Sequence, residues 1–71
     1  MGRNTARLEN WVLMSNTLFG DIYDDSRGNP DGSRCMTSPL LPMSMQVNSP
    51  DEGVKVFTRN TVYLLGKKEQ G

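Results

Sequence analysis

The fold class is decided by the stretch VKVFTRNTVYLL, which runs from Val54 to Leu65. Its first half, Val54–Thr58, and its second half, Val62–Leu65, are rich in β-branched and aromatic residues, which favour β-strands. The three residues between them, 59–61, suit a tight hairpin connection. The sequence therefore predicts an antiparallel β-hairpin in the C-terminal third of the chain.

The first upstream segment with strand patterning is Leu8–Met14, which follows a polar stretch without apolar periodicity. A two-residue period places Trp11 and Leu13 on one face of this segment, and Val12 and Met14 on the other. Seven residues are short for a helix and ordinary for a strand, so the length of the segment favours a strand.

The second upstream segment is Thr17–Tyr23, which also alternates with a two-residue period. Leu18 and Ile22 fall on one face of the predicted strand. Gly20 lies in its middle, and a glycine inside a strand usually marks a bulge, a sharp bend or a close approach of two backbones. We therefore expect a strongly bent strand here.

A long polar turn at residues 24–33 separates this strand from a short alternating segment at residues 34–38. The turn contains Arg-Gly, Asn-Pro and Asp-Gly pairs, and each pair favours a turn for its own conformational reason. The two strands and the turn together predict a hairpin with an ordered connection of about ten residues.

Five short strands separated by turns at regular spacing are typical of all-β sandwiches and barrels. The chain is too short for the seven strands of a two-sheet sandwich. The sequence therefore predicts an all-β fold: a small, five-stranded, strongly bent sheet or barrel, SH3-like or alternatively OB-like. We expect a flexible N-terminal arm at residues 1–7, one β-barrel domain at residues 8–66 and a polar C-terminal tail at residues 67–71.

The composition excludes several classes of function. The 71 residues include eight Lys and Arg, eight Asp and Glu, one Cys and no His. These counts exclude a disulfide framework, a Cys/His zinc site, a His-based catalytic triad and a strongly basic nucleic-acid binder. The N-terminus has no apolar run of signal-peptide length, and a lone Cys35 suits a reducing compartment. We expect a cytoplasmic protein that does not enter a membrane.

Short motifs in order along the chain add a resemblance. They are Trp11, then GDIY (20–23), PDGSR (30–34), TSP (37–39) and TRNTVYLLG (58–66). This order resembles a group of short uncharacterised proteins from bacteria, prophages and other mobile elements. Those proteins share a tryptophan strand, a G-x-[VI]-Y strand, a D-G-x-x-I-x-T-S hairpin and a terminal T-x-[NS]-x-x-Y-x-L-G. The resemblance implies a compact β module encoded in a mobile-element neighbourhood, and it carries over no catalytic residue.

The acidic turn and the cysteine are the two places where chemistry would be sought. Asp21, Asp24, Asp25 and Asp31 are dense enough to suggest a Ca²⁺ or Mg²⁺ site, but they lack EF-hand spacing and are well suited to forming turns. Cys35 has no histidine to activate it, and a small thiol on a strand is more typical of a core residue. We therefore expect no metal, no cofactor and no catalytic residues, that is, a protein that is not an enzyme.

The segment Pro39–Met45 holds more apolar residues than a small barrel can bury. The residues concerned are Leu40, Leu41, Met43 and Met45. Those that stay outside would form an apolar surface for a partner, since monomers seldom keep such patches exposed. Alternatively the segment caps the barrel as a lid. The first hypothesis is therefore a non-enzymatic interaction module that binds a protein partner or itself through residues 39–45.

Basic residues in the C-terminal third give the alternative hypothesis, a small-barrel nucleic-acid binder. Its candidate contacts are Lys55, Arg59, Lys67 and Lys68, with Phe57 and Tyr63 as stacking platforms. The competing interpretation is that these cations discourage edge pairing and that the aromatic residues belong to the core. A weaker alternative is an oligomer that sequesters an anionic metabolite against Arg27, Arg34 and Arg59.

Overall fold

A computed structural model of the chain describes residues 4–42 and 50–69, which form one β-sheet. The strands are β1 (Asn4–Met14), β2 (Thr17–Tyr23), β3 (Ser33–Met36), β4 (Lys55–Phe57) and β5 (Thr61–Leu65). The described residues include no helix. The prediction of an all-β fold with five strands is confirmed, while its SH3-like or OB-like assignment stays a prediction.

The strand order in the sheet is β3-β2-β1-β5-β4. Three neighbouring pairs are antiparallel, and these include both predicted hairpins, β2–β3 and β4–β5. The β1–β5 pair is parallel, with a register from Asn4 opposite Thr61 to Leu8 opposite Leu65. The first and last strands therefore lie side by side at the centre of the sheet.

The expected flexible arm is wrong for residues 4–7, because β1 begins at Asn4. The side chains there are mostly polar, which hides the strand in the sequence. Their backbone groups nevertheless pair with β5, and Ala6 is buried in the core. Backbone pairing and one small inward side chain are enough to hold this part of the strand in place.

The expected tail beyond residue 66 is also partly wrong, because residues 67–69 continue the pairing with β1. The backbone N–H of Trp11 donates to the carbonyl oxygen of Lys67 at 3.3 Å, and the N–H of Glu69 donates to the carbonyl oxygen of Trp11 at 2.8 Å. Polar side chains in this segment face solvent while its backbone extends the parallel ladder. The polar composition of this segment reflects its exposed side chains, not an absence of structure.

A β-bulge interrupts the pairing of β1 with β2. Glu9 pairs with Asp21 and Val12 pairs with Phe19, so two residues of β1 face the single residue Gly20. A Cβ atom added to Gly20 would lie 3.0 Å from the carbonyl oxygen of Glu9 and 3.1 Å from the Cα of Trp11. The close approach expected at Gly20 is therefore confirmed, and it allows the bulge to turn the Trp11 side chain into the core.

The core lies on one face of the sheet. As predicted, Leu18 and Ile22 share the buried face of β2. Leu13 pairs with Leu18 and so shares the face of Trp11, as predicted, but it lies next to the end of β1 and is 39% exposed. The buried apolar residues are Ala6, Leu8, Trp11, Leu18, Ile22, Leu40, Val56, Tyr63 and Leu65.

Leu40 connects the two halves of the sheet across this core. Its N–H donates to the carbonyl oxygen of Asn16 at 2.8 Å, and it forms an isolated bridge with Thr58. The N–H of Leu41 donates to the carbonyl oxygen of Phe57 at 2.9 Å. The chain beyond β3 therefore ties the β1–β2 turn to the end of β4.

We predict that Gly20→Ala lowers the free energy of unfolding by about 1–3 kcal/mol, the usual cost of forcing extra volume into a packed region. The new methyl group would press on the backbone of Glu9 and Trp11, which cannot move aside as a side chain can. Urea unfolding followed by the fluorescence of the single tryptophan measures this change. Ser38→Ala, at an exposed position, is the control. Equal stability of Gly20→Ala and the wild type would contradict the close approach.

Candidate functional site

An apolar row, half-buried at Val12 and Phe19 and exposed at its ends, crosses the face of β1, β2 and β3 that lies opposite the core. Val12 pairs with Phe19, and Phe19 pairs with Met36, so these three side chains line up across the strands. Met14 lies two residues beyond Val12 on the same face. Met36 is 65% exposed and Met14 is 58% exposed. These four residues are the outer apolar row.

The row ends on an open edge of the sheet. β3 is the last strand on its side, with β2 as its only neighbour among the described strands. The N–H of Thr37 donates to the carbonyl oxygen of Leu18 at 2.9 Å. This bond sets which residues of β3 direct their backbone groups toward β2 and which direct them away. The backbone groups of Arg34 and Met36 therefore point away from β2. Met36 thus combines an exposed apolar side chain with a strand edge that no other strand of residues 4–42 and 50–69 occupies.

The segment expected to bind a partner is only partly described. Leu40 is 6% exposed and packs in the core, so its side chain does not contribute to an outer surface. The reason is its bridge to Thr58, which draws it over the buried face. Leu41 is half-buried, and Met43 and Met45 lie outside the described residues.

The four cations of the nucleic-acid hypothesis do not converge. Arg59 lies in the β4–β5 connection, next to Asn60, whose carbonyl oxygen accepts from the N–H of Asn4. Lys67 lies beyond the other end of β5, about 20 Å from Thr61 along the strand direction at roughly 3.3 Å per residue. Lys55 is exposed on β4. The length of β5 therefore separates Arg59 from Lys67 and Lys68, while Lys55, which pairs with Leu64, lies toward the Lys67 end.

The stacking platforms expected with these cations are not both available. Tyr63 is 3% exposed and belongs to the core, because its position on β5 faces inward between Thr61 and Leu65. Phe57 is half-buried on β4. The competing interpretation of Tyr63 as a core residue is therefore correct.

Two of the four cations meet a third, Arg34, in an open cleft of about 560 Å³ beside the bulge of β1. The amide nitrogen of Asn10 donates to Oδ2 of Asp21 at 3.2 Å, and the Arg34 guanidinium lies 3.5 Å from Oδ1 of the same carboxylate. The Lys68 ammonium lies 5.7 Å from the centre of the Trp11 ring. The side chains that line this charged cleft are Asn10, Asp21, Arg34, Lys67, Lys68 and Glu69.

No protein-family model, no curated protein and no solved structure matches the chain. In the part of the chain that the structure describes, no helix is long and apolar enough to cross a membrane.

The acidic turn is organised around Asp25, whose side chain is fully buried. This carboxylate accepts from the backbone N–H of Arg27 at 3.0 Å and from its Nε at 2.9 Å, and the amide of Asn29 also donates to it. Burial raises the pKa of Asp25, but the bonds from Arg27 and Asn29 outweigh burial and leave the pKa below its ordinary value of 3.8. Asp25 therefore acts as the structural centre of the turn.

The other candidates for chemistry are a metal site in the acidic turn and the thiol of Cys35. Among residues 4–42 and 50–69, no group of three or more His, Cys, Asp or Glu side chains is placed to hold a metal ion. Cys35 packs against the core, and burial raises the pKa of its thiol. A raised pKa leaves less of the thiolate, which is the nucleophilic form.

We predict that the free energy of unfolding falls as the pH drops below about 4, and that Asp25→Asn weakens this dependence. The folded-state pKa of Asp25 is lowered, so its stabilisation is complete above its ordinary pKa of 3.8 and is lost as the pH falls through the folded-state value. The variant is less stable at neutral pH, because a neutral amide replaces a carboxylate that accepts bonds from Arg27 and Asn29.

Urea midpoints between pH 7 and pH 2.5 measure this dependence. Asp51→Asn changes an exposed carboxylate on another turn and controls for the loss of one negative charge. Parallel pH curves for Asp25→Asn and the wild type would show that this carboxylate does not stabilise the turn.

Proposed function

We propose that this protein is a non-enzymatic interaction module that associates with a second copy of itself through the β3 edge and the outer apolar row. The observation that carries the proposal is the position of Met36, which is 65% exposed on an edge strand and continues an apolar row from Val12 and Phe19. Contiguous apolar surface of this kind usually marks an interaction site. An open strand edge next to it supplies backbone hydrogen bonds to a further strand.

The residues on β3 favour one register for a symmetric antiparallel pairing. With the two-fold axis at Met36, each Met36 faces its counterpart, and Arg34 faces Ser38 of the second copy. The two outer apolar rows then join end to end. A register centred on Arg34 would oppose two positive charges, which is unfavourable. A register centred on Cys35 would place Arg34 opposite Met36 and interrupt the apolar row.

A second copy also suits the charge of the chain. The eight basic and eight acidic residues give a formal net charge of zero, so two copies do not repel each other over a distance. A closed two-fold contact uses the same surface on both copies and leaves no second edge of β3 open. We propose that this assembly forms in the cytoplasm, in the mobile-element setting that the resemblance of the sequence implies.

The nucleic-acid alternative has less support. Arg59 is far from Lys67 and Lys68 along β5, and Tyr63 is buried. With no net charge, the release of counterions would add little affinity for a polyanion.

We predict that the chain sediments as a dimer of twice 7.9 kDa at concentrations near 100 μM, and that Met36→Lys converts it to a monomer. Burying the two Met36 side chains stabilises the contact, and two lysines in their place would oppose like charges. We expect at least about a tenfold increase in the dissociation constant.

The matched control for this experiment is Leu64→Lys, which introduces the same charge at an exposed apolar residue of β5. A monomeric wild type, or the same loss of association in both variants, would contradict the proposal. Circular dichroism of each variant establishes that the sheet is retained.

The register itself is tested by cross-linking. In a chain carrying Cys35→Ser and Met36→Cys, the two new thiols face each other across the axis, and mild oxidation should join them within the dimer. The wild-type Cys35 faces Thr37 of the second copy in this register and should cross-link far less. Efficient cross-linking through Cys35 alone would show a register centred on that residue instead.

A further inference from the structure

We propose that the charged cleft is a binding site for a small phosphorylated sugar. The cleft lies where β1, β2, β3 and residues 67–69 come together, and its volume of about 560 Å³ is within the range of small-molecule sites. This inference does not depend on self-association, because it is tested through lysines outside β3.

The bulge of β1 fixes one wall of the cleft. Asn10 has a φ of 52°, in the left-handed region that asparagine adopts more readily than most residues. Its amide nitrogen donates to Asp21, so both the backbone and the side chain are held. Bulges often redirect a side chain at functional sites. Here the bulge presents a polar amide to the cleft while turning Trp11 inward.

The positive charges of the cleft are incompletely neutralised. Within residues 4–42 and 50–69, Lys67 and Lys68 form no ion pair. The Lys68 ammonium is placed over the Trp11 ring instead. Arg34 contacts Asp21 only at 3.5 Å, and its side chain is 67% exposed. These three cations are available to an anionic group with several oxygens, for which a phosphate is well suited.

The other lining residues indicate which chemical groups the rest of the ligand carries. Asp21 and Glu69 accept hydrogen bonds, and the Asn10 amide can both donate and accept. Such groups bind the hydroxyl groups of a sugar. The six residues that line the cleft all have polar or charged side chains, so the cleft offers little apolar surface on which a nucleobase would stack. A phosphorylated sugar fits this combination better than a nucleotide does.

Ribose 5-phosphate is the probe, and isothermal titration calorimetry together with Trp11 fluorescence measures its binding. Trp11 is the single tryptophan and lies beneath Lys68, so a phosphate that draws this ammonium away should change the emission. We expect saturable binding of ribose 5-phosphate and none of ribose. Inorganic phosphate should bind at least about tenfold more weakly, because it lacks the hydroxyl contacts.

The double variant Lys67→Gln, Lys68→Gln should weaken binding at least about tenfold, because two charged hydrogen-bond donors are lost. The matched control is Lys55→Gln, Arg59→Gln, which removes two exposed cations that do not line the cleft and should bind as the wild type does. Three outcomes would overturn the proposal: no binding at 10 mM probe, equal losses in both double variants, or equal affinity for inorganic phosphate, which would indicate an adventitious ion only. Tighter binding of adenosine monophosphate than of ribose 5-phosphate would contradict the sugar class.

Discussion

The structure depends on the way Trp11 joins the two ends of the chain. Its indole Nε1 donates to the carbonyl oxygen of Gly66 at 2.9 Å, across 55 positions of sequence. A buried donor left without its partner costs about 1–3 kcal/mol, a large fraction of the stability of so small a domain. The backbone of Trp11 also pairs with Lys67 and Glu69. One residue therefore fills the core and fixes the parallel neighbour of β1.

The bulge at Trp11 interrupts the pairing of β1 on both sides but shifts the register on only one of them. On the β5 side, the offset between paired residues is the same at Leu8–Leu65 and at Trp11–Lys68. On the β2 side, the register shifts opposite Gly20, where the absence of a Cβ leaves room for the extra residue. The offset between paired residues is therefore kept across the parallel pairing and shifted across the antiparallel one. The charged cleft lies at this bend, so its position follows from the packing of Trp11.

Local patterning predicts the strands well but not their arrangement. Alternation placed Leu18 and Ile22 on the buried face of β2, and β-branched residues marked β4 and β5, because these signals come from neighbouring residues. The parallel pairing of β1 with β5 joins segments far apart in the sequence, and no local pattern encodes it. Local patterning does not reveal the strand at residues 4–7 for the same reason. Backbone pairing with β5 holds these residues in a strand, and the pattern of their own side chains does not.

The candidate sites were harder to predict, because each depends on register. Met36 joins an apolar row only because Phe19 pairs with it, and Phe19 in turn pairs with Val12. Arg34 meets Lys67 and Lys68 only because β3 and residues 67–69 approach the same bulge. A prediction that groups apolar or basic residues by their proximity along the chain therefore selects residues 39–45 and the C-terminal cations instead.

The described strands form a single sheet, and this explains why one face of the sheet has no second layer packed against it. The buried apolar residues of the described ranges pack on one face, and the same ranges provide no helix or second sheet to cover the other. Polar contacts cover part of that outer face, since the Arg7 guanidinium lies 4.9 Å from the centre of the Tyr23 ring and pairs with Glu9. This cover is on β1 and β2 at the end away from Met36. The outer apolar row runs out to the β3 edge, so the second copy that we propose as partner would bury the row and pair with the edge through the same strand.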